Sequence, residues 1–246
     1  MKLDNKVALV TGSSRGIGKS TILKLASEGC NVVINYNNSE KEAFELKKQV
    51  EENYNVKAIV IKADVSLENE VILMVEKIIS IFGKIDILVN NASIAIDTLF
   101  EDKTKDNFKK ILEINLIGTF LVSKYVGKYM LQNKYGKIIN VSSTNGIDTN
   151  YPMSIDYDAS KAGVISLTRN LALEYAPYIN VNTVAPGWVN TEMNKNLDED
   201  FKNKEIKNIY LKRFAEPEEI ANVITFLASD DANYINGTVI RVDGGF

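Results

Sequence analysis

Histidine is absent from the 246-residue sequence. Ser-His-Asp hydrolysis, Cys-His nucleophilic pairs and histidine-ligated metals are thereby excluded, since each needs an imidazole. The one cysteine, Cys30, rules out an intrachain disulfide and a cysteine-rich zinc site. It stands at the entry to an apolar run and reads as a small buried hydrophobe. No metal is expected. No apolar run approaches the roughly 18–20 residues of a membrane helix. The opening Met1–Lys6 segment lacks a signal-peptide layout, because the apolar stretch Val7–Val10 that follows is too short. The formal net charge of -3 offers no basic surface for nucleic acid. A soluble, cytoplasmic protein with no membrane or nucleic-acid partner is expected. Any proton transfer must use Tyr, Lys, Ser, Thr, Asp or Glu.

The remaining composition, 45% hydrophobic and 25% charged, is that of a globular protein, and the length suits one α/β domain over residues 1–246. Short β-branched runs alternate with stretches of helical period. Strands are predicted at Val7–Val10, Val32–Tyr36, Ala58–Lys62, Ile85–Val89, Lys137–Val141, Ile179–Val184 and Val239–Val242. Between them, helices are predicted over residues 17–27, 40–52, 67–82, 106–133, 155–175 and 218–227. A charged, proline-free stretch over 190–214 reads as a short helical flap. This alternation predicts a Rossmann-type, doubly wound parallel sheet of about seven strands with helices on both faces.

Thr11-Gly12-Ser13-Ser14-Arg15-Gly16-Ile17-Gly18 lies between the first strand and the first helix. In such a turn Gly12 permits the bend, Gly16 lets backbone approach a pyrophosphate, and Gly18 lets helix pack on strand. The helix N-terminus then presents free N–H groups to the phosphates. A carboxylate ending the second strand would hold the adenosine ribose hydroxyls and repel a 2′-phosphate. Here that strand ends Asn35-Tyr36-Asn37-Asn38-Ser39, with no carboxylate until Glu40. Arg15 can supply a cation for a 2′-phosphate. NADP(H) is favoured, with use of NAD(H) left open.

Tyr157-Asp158-Ala159-Ser160-Lys161 opens a predicted helix, and the i,i+4 spacing puts Tyr157 and Lys161 on one face. A free phenol titrates near 10, too high for a good base at neutral pH, and a fixed ammonium beside it favours the phenolate. Tyr157 could then pass a proton to a carbonyl oxygen while hydride reaches its carbon, or run the reverse. With 11 tyrosines in the chain, about one Tyr-x-x-x-Lys is expected by chance. The spacing alone leaves an ordinary surface pair equally open.

The order of motifs along the whole chain resembles that of short-chain dehydrogenase/reductases. It runs from Thr11-Gly12-x-x-x-Gly16-x-Gly18 through Asp64-Val65, Asn90-Asn91-Ala92, Tyr157-x-x-x-Lys161 and Pro186-Gly187 to Val242-Asp243-Gly244-Gly245. The resemblance implies catalysis by Asn115, Ser143, Tyr157 and Lys161, with Ser142 as the fallback for Ser143. Ser143 would donate to the substrate oxygen, Tyr157 transfer the proton, and Lys161 hold the nicotinamide ribose and lower the tyrosine pKa. Asn115 would position a water linking Lys161 to solvent. The resemblance places the dinucleotide against Gly12, Ser14, Arg15, Gly16, Ile17 and Gly18, then Tyr36, Asn37, Asn38 and Ser39. Asp64, Val65, Asn91, Ala92 and Ser93 continue the site, followed by Tyr157, Lys161, Pro186 and Gly187. Val189 is expected at the nicotinamide ring and Thr191 at the carboxamide or phosphates.

Within the family the chain is most similar to bacterial 3-oxoacyl-[acyl-carrier-protein] reductases. This rests on its compact length and on Arg213–Ala221, Phe226–Asp230 and the Gly244-Gly245 ending. Three departures stand out. Ser93 replaces the family's usual glycine, the loop from Ser143 to Tyr157 is one residue longer, and Tyr178 falls where a second carrier-docking cation is expected beside Lys134. Small free ketones, sugars or polyols are the alternative substrates. A non-catalytic, dinucleotide-binding regulatory protein is the alternative of another class. The resemblance also implies a homotetramer packed through the two long helices.

Overall fold

The computed structural model describes residues 1–195 and 197–246. Seven strands, β1 (Val7–Val10), β2 (Asn31–Tyr36), β3 (Ala58–Lys62), β4 (Ile87–Asn90), β5 (Gly136–Val141), β6 (Ile179–Pro186) and β7 (Val239–Val242), form one sheet. Their order is β3-β2-β1-β4-β5-β6-β7, and every pair is parallel. The connecting helices are α1 (Gly16–Ser27), α2 (Glu40–Asn53), α3 (Glu68–Phe82), α4 (Lys105–Leu112), α5 (Gly118–Asn133), α6 (Ile155–Glu174), α7 (Glu199–Asn208) and α8 (Pro217–Ala228).

The apolar strand runs follow from burial of both sheet faces. Successive strand side chains point to opposite faces. Ala8, Val10, Val32, Ile34, Ile87 and Val89 enter one core, with Ile22 and Leu25 of α1, Leu46 of α2 and Ile224 of α8. Val7, Leu9, Val33, Leu88 and Ile138 enter the other, with Met74 of α3, Val122 and Val126 of α5 and Leu171 of α6. A parallel strand covered on both faces has no solvated side, so alternation of polar and apolar residues disappears. β1 sits between β2 and β4, so the connections leave in opposite directions there. The crevice beyond the carboxyl ends of β1 and β4 is the topological switch point, where such sheets bind ligands.

The helix expected over 106–133 is interrupted. α4 ends at Leu112, a π-type turn covers Glu113–Ile117, and α5 begins at Gly118. One extra residue in the hydrogen-bond ladder widens that turn. The turn accompanies a tertiary contact: Asn115 bonds the main chain of Ile94 from both ends of its amide, at 2.9 and 3.0 Å. At the following turn a Cβ on Gly118 would lie 2.7 Å from Val65 Cγ2, so the helix fits there only as glycine. The expected flap contains α7, capped by Asp198, which accepts from the amides of Asp200 and Phe201. None of the α7 side chains is buried. It meets the body through Phe201, whose ring lies 5.7 Å from Trp188 and 5.9 Å from Tyr151.

The segment between β4 and α4 is pinned by a buried ion pair. Lys103 Nζ donates to both oxygens of Asp156, at 2.8 and 3.0 Å, and to the Ile96 carbonyl. The side chains are 6% and 0% exposed. Removing one partner strands a buried charge, which costs about 3–5 kcal/mol. Lys103→Met should therefore lose about 3–5 kcal/mol of unfolding free energy in urea titrations. A loss of about 0–1 kcal/mol, the worth of an exposed pair, would contradict the burial of Asp156 as a charge.

Candidate active site

The expected site residues gather in two places, the glycine turn after β1 and the N-terminal turns of α6 beside β5. Gly12 and Gly16 have φ of +58 and +55, a region that side chains disfavour. A Cβ on Gly12 would come within 2.8 Å of Ala92 Cα, and one on Gly18 within 2.7 Å of Ser13 Cα. Gly16 differs, since its nearest neighbour would be the Thr191 methyl at 3.4 Å. Its missing side chain therefore opens space over the start of α1 rather than relieving a clash. Arg15, at the N-cap of α1, makes no side-chain capping bond, so the first N–H groups of α1 have no side-chain partner from the cap. An open cradle over uncapped amides fits a dinucleotide pyrophosphate.

The turn is braced by residues of two kinds. Asn91 Nδ2 donates to the carbonyls of Thr11 and Gly12, each at 3.0 Å. Thr11 Oγ1 accepts from the amides of Asn91 and Ala92. The Asn91 amide thus faces the protein and holds the turn in shape. Asn35 does the same from β2: its Oδ1 accepts from Gly12 N at 3.1 Å and its Nδ2 donates to Ala63 O at 3.0 Å. In the sequence Asn35 stands only as part of a strand end. Its signal was an amide inside an apolar strand, a position that demands partners. Farther along the crevice, Asn37 Nδ2 donates to Asp64 Oδ2 and Tyr36 Oη to Glu40 Oε1, each at 2.8 Å. Arg15 and Asn38 are exposed, Ser39 is half-buried, and Ser14 and Val65 are buried. Ile17, Ala92 and Ser93 are half-buried at the rim. Pro186 ends β6, and Gly187 follows with its amide on Val242 O. Val189 is buried, its carbonyl accepting from Asn194 Nδ2 at 2.8 Å.

The four residues expected to act lie around the start of α6. Ser142 Oγ donates to the Lys161 carbonyl at 2.8 Å, which occupies it in joining β5 to α6. Ser143 instead bonds Asn145 at 3.1 Å, and its hydroxyl opposes the upward shift of the Tyr157 phenol. Of the two serines, Ser143 is therefore the one whose hydroxyl is not taken up in joining β5 to α6. Lys161 Nζ donates to Val141 O at 2.9 Å and lies 5.4 Å from the centre of the Tyr157 ring. Asn115, buried in the π-type turn, adds a bond from Nδ2 to Ser160 Oγ at 3.1 Å. Its carbonyl accepts from Thr119 Oγ1.

Electrostatics in the free site differ from the sequence expectation. Burial pushes the Tyr157 phenol up to about 12, opposed by the Ser143 hydroxyl and reinforced by Asp158 and Asp97. Burial also brings Lys161 down to about 8. The ammonium that was to lower the phenol is itself destabilised by its surroundings, and desolvation outweighs it. Because the unfolded chain holds the Lys161 proton more tightly, this group makes stability rise from pH about 8 toward the ordinary lysine value. In nitrogen-detected NMR, Lys161 Nζ should titrate at about 8 in the free protein. A midpoint at the ordinary lysine value would contradict the buried setting.

A family profile described as "Enoyl-(Acyl carrier protein) reductase" matches residues 12–246. The chain is 42% identical over 246 residues to a 3-oxoacyl-[acyl-carrier-protein] reductase of Aquifex aeolicus (strain VF5), covering 100% of this chain and 98% of that protein. A 3-oxoacyl-[acyl-carrier-protein] reductase of Staphylococcus epidermidis is 43% identical over 242 residues, covering 98% of each chain. Among solved structures, levodione reductase superposes with a TM-score of 0.93 at 36% identity, over 99% of this chain and 98% of the other. A short-chain dehydrogenase/reductase variant of Serratia marcescens gives 0.94 at 34% identity, over 100% and 99%. The seven-stranded parallel sheet, the glycine turn and the full-length matches agree: the chain belongs to the short-chain dehydrogenase/reductase family and is a nicotinamide-dependent oxidoreductase.

Proposed function

We propose that the protein reduces 3-oxoacyl thioesters carried on acyl carrier protein, with NADPH as the preferred reductant. The observation that carries the chemistry is the gathering of Ser143, Tyr157 and buried Lys161 where the end of β5 is bonded to α6. When bound, the nicotinamide cofactor supplies the hydride. Ser143 Oγ donates to the substrate carbonyl oxygen and stabilises charge developing there. Tyr157 Oη gives that oxygen a proton. A phenol held near 12 is fully protonated at neutral pH, which suits it to donate in the direction of reduction. Lys161 holds the ribose hydroxyls from its place on Val141 O. Asn115 keeps Ile94 and Ser160 in register around it.

Arg15, exposed at the N-cap of α1, supports a site for a 2′-phosphate, and the Asn37–Asp64 bond leaves the Asp64 carboxylate engaged. The substrate class is supported by the names of the relatives at 42–43% identity. For docking of an acidic carrier, exposed Lys134 supplies one cation, standing 5.7 Å from the Tyr178 ring. Tyr178 leaves a single charge where two were expected. Levodione reductase, at 36% identity, keeps free ketones in view as the second substrate class. The exposed Ile117 of the π-type turn, Phe120 of α5 and Leu173 of α6 support a homotetramer assembled through these helices.

Initial rates with NADPH and NADH against an acyl-carrier-bound acetoacetyl group, acetoacetyl-coenzyme A and simple cyclic ketones test the assignment. The carrier-bound thioester with NADPH should give the highest kcat/KM. Free ketones faster by a factor of ten or more would overturn the substrate class and leave the chemistry intact. Tyr157→Phe should abolish turnover while NADPH still binds, and Ser143→Ala should cost about 10²–10³ in kcat, the range for one oxyanion donor. Wild-type turnover in either variant would overturn the mechanism.

A further inference from the structure

Tyr157 is flanked by two aspartates that serve different walls. Asp156 faces Lys103 and the segment after β4, as described above. Asp158 faces the loop that follows β5. Its Oδ1 accepts from Asn145 Nδ2 at 2.7 Å and from Ser154 Oγ at 3.1 Å, and its Oδ2 accepts from Tyr151 N at 3.0 Å. All three donors are neutral. Three donors converging on one side chain call for a carboxylate, which accepts through both oxygens and donates through neither.

The orientation of Asn145 follows from that carboxylate. With Nδ2 committed to Asp158, Oδ1 must face the other way, and there it accepts from Ser143 Oγ at 3.1 Å. The Asn145 main-chain N–H returns a bond to Ser143 Oγ at 3.2 Å. The serine has one proton, which Asn145 Oδ1 receives in the free site, while the hydroxyl also opposes the upward shift of the Tyr157 phenol. An amide is the group that can donate to an aspartate at one end and accept from a serine at the other.

We propose that Asp158 is a positioning residue for the reaction: through Asn145 it directs the Ser143 hydroxyl, and through the Tyr151 amide it holds the aromatic wall that meets α7. The proposal rests on the reading of Ser143 and Tyr157 given above. In the free site the serine proton rests on Asn145, and the substrate oxygen or the phenolate takes it over when either is present. The hydroxyl thus rotates between two acceptors around a fixed oxygen. The second arm of Asp158 acts on a different part of the substrate path. Tyr151 packs on Phe201, and Phe201 on Trp188, so the Tyr151 amide ties the serine loop to the flap.

A double-mutant cycle separates the two arms. Rates are measured with NADPH and acetoacetyl-coenzyme A, or with the fastest ketone of the panel above. Asn145→Ala, Asp158→Ala and the double variant should each lower kcat by about tenfold, the effect of one lost orienting hydrogen bond. If Asp158 acts on the serine through Asn145, the double variant loses no more kcat than either single one. KM should rise only where Asp158 is missing, because only then is Tyr151 released. Amide hydrogen exchange gives a readout apart from turnover: the Tyr151 N–H should exchange faster in Asp158→Ala and not in Asn145→Ala.

Asp158→Asn keeps the volume and guards against a folding defect. Its one amide oxygen should stay with the two donors at Oδ1, leaving Tyr151 N facing an NH2, so KM rises while kcat stays within about twofold. A double variant whose kcat falls by the product of the single effects, about a hundredfold, overturns the proposal. So does an unchanged kcat in Asp158→Ala. Wild-type kcat in Ser143→Ala is a different failure: it overturns the site reading itself and leaves Asp158 with no residue to direct.

Discussion

The carboxyl end of β5 is laced to α6 in both directions, and the site depends on that lacing. Ser142 Oγ donates to the Lys161 carbonyl, while Lys161 Nζ donates back to the Val141 carbonyl. Between them the loop passes so close that a Cβ on Gly146 would lie 2.6 Å from the Lys161 carbonyl carbon. These contacts bury the first turns of α6 against the strand end and set Ser143 beside Tyr157. Burial then has two consequences of opposite sign for the same proton chemistry. It keeps the phenol protonated, and it weakens the hold of Lys161 on its own proton. A phenol that keeps its proton is thereby set beside an amine that gives its proton up more readily.

Around that join, the structure resolves a division of labour among polar residues that look alike in sequence. Asn35 and Asn91 hold the glycine turn from below and from the side, and their amides are used up in doing so. Asn115 turns inward because the helix opens by one residue, joining Ile94 and Ser160. Asn145 faces a hydroxyl on one side and a carboxylate on the other. The polar groups are individually modest, about 1 kcal/mol each. Their value lies in leaving Ser143, Tyr157 and Lys161 one arrangement relative to one another.

The fold was legible because its strands are short apolar runs separated by helical periods, and those periods survive without knowledge of contacts. Val7–Val10 and Ala58–Lys62 carry the same bounds in sequence and structure. The helix over 106–133 was misread because nothing in its pattern marks the widened turn at Asn115. That turn depends on a partner, Ile94, about twenty residues away and fixed only by tertiary structure. Tyr157 and Lys161 were legible as a pair on one helix face. Their relative charge was not, because desolvation is a property of the folded surroundings and opposed the effect read from spacing. The role of Asp158 was hidden for the same reason: its three donors come from a loop whose course the sequence leaves open. The sequence places Asn91 in a motif but does not show that its amide braces the glycine turn.

The account turns on one juxtaposition, a substrate oxygen shared by Ser143 and Tyr157 above Lys161. A crystal structure of the protein with NADP+ and a 3-hydroxyacyl thioester tests it directly. The account predicts the 3-hydroxyl oxygen within hydrogen-bond distance, about 2.6–3.2 Å, of both Ser143 Oγ and Tyr157 Oη. It also predicts Lys161 Nζ on the ribose hydroxyls. A bound alcohol whose oxygen meets neither hydroxyl, with the nicotinamide elsewhere than the crevice beyond β1 and β4, would contradict it.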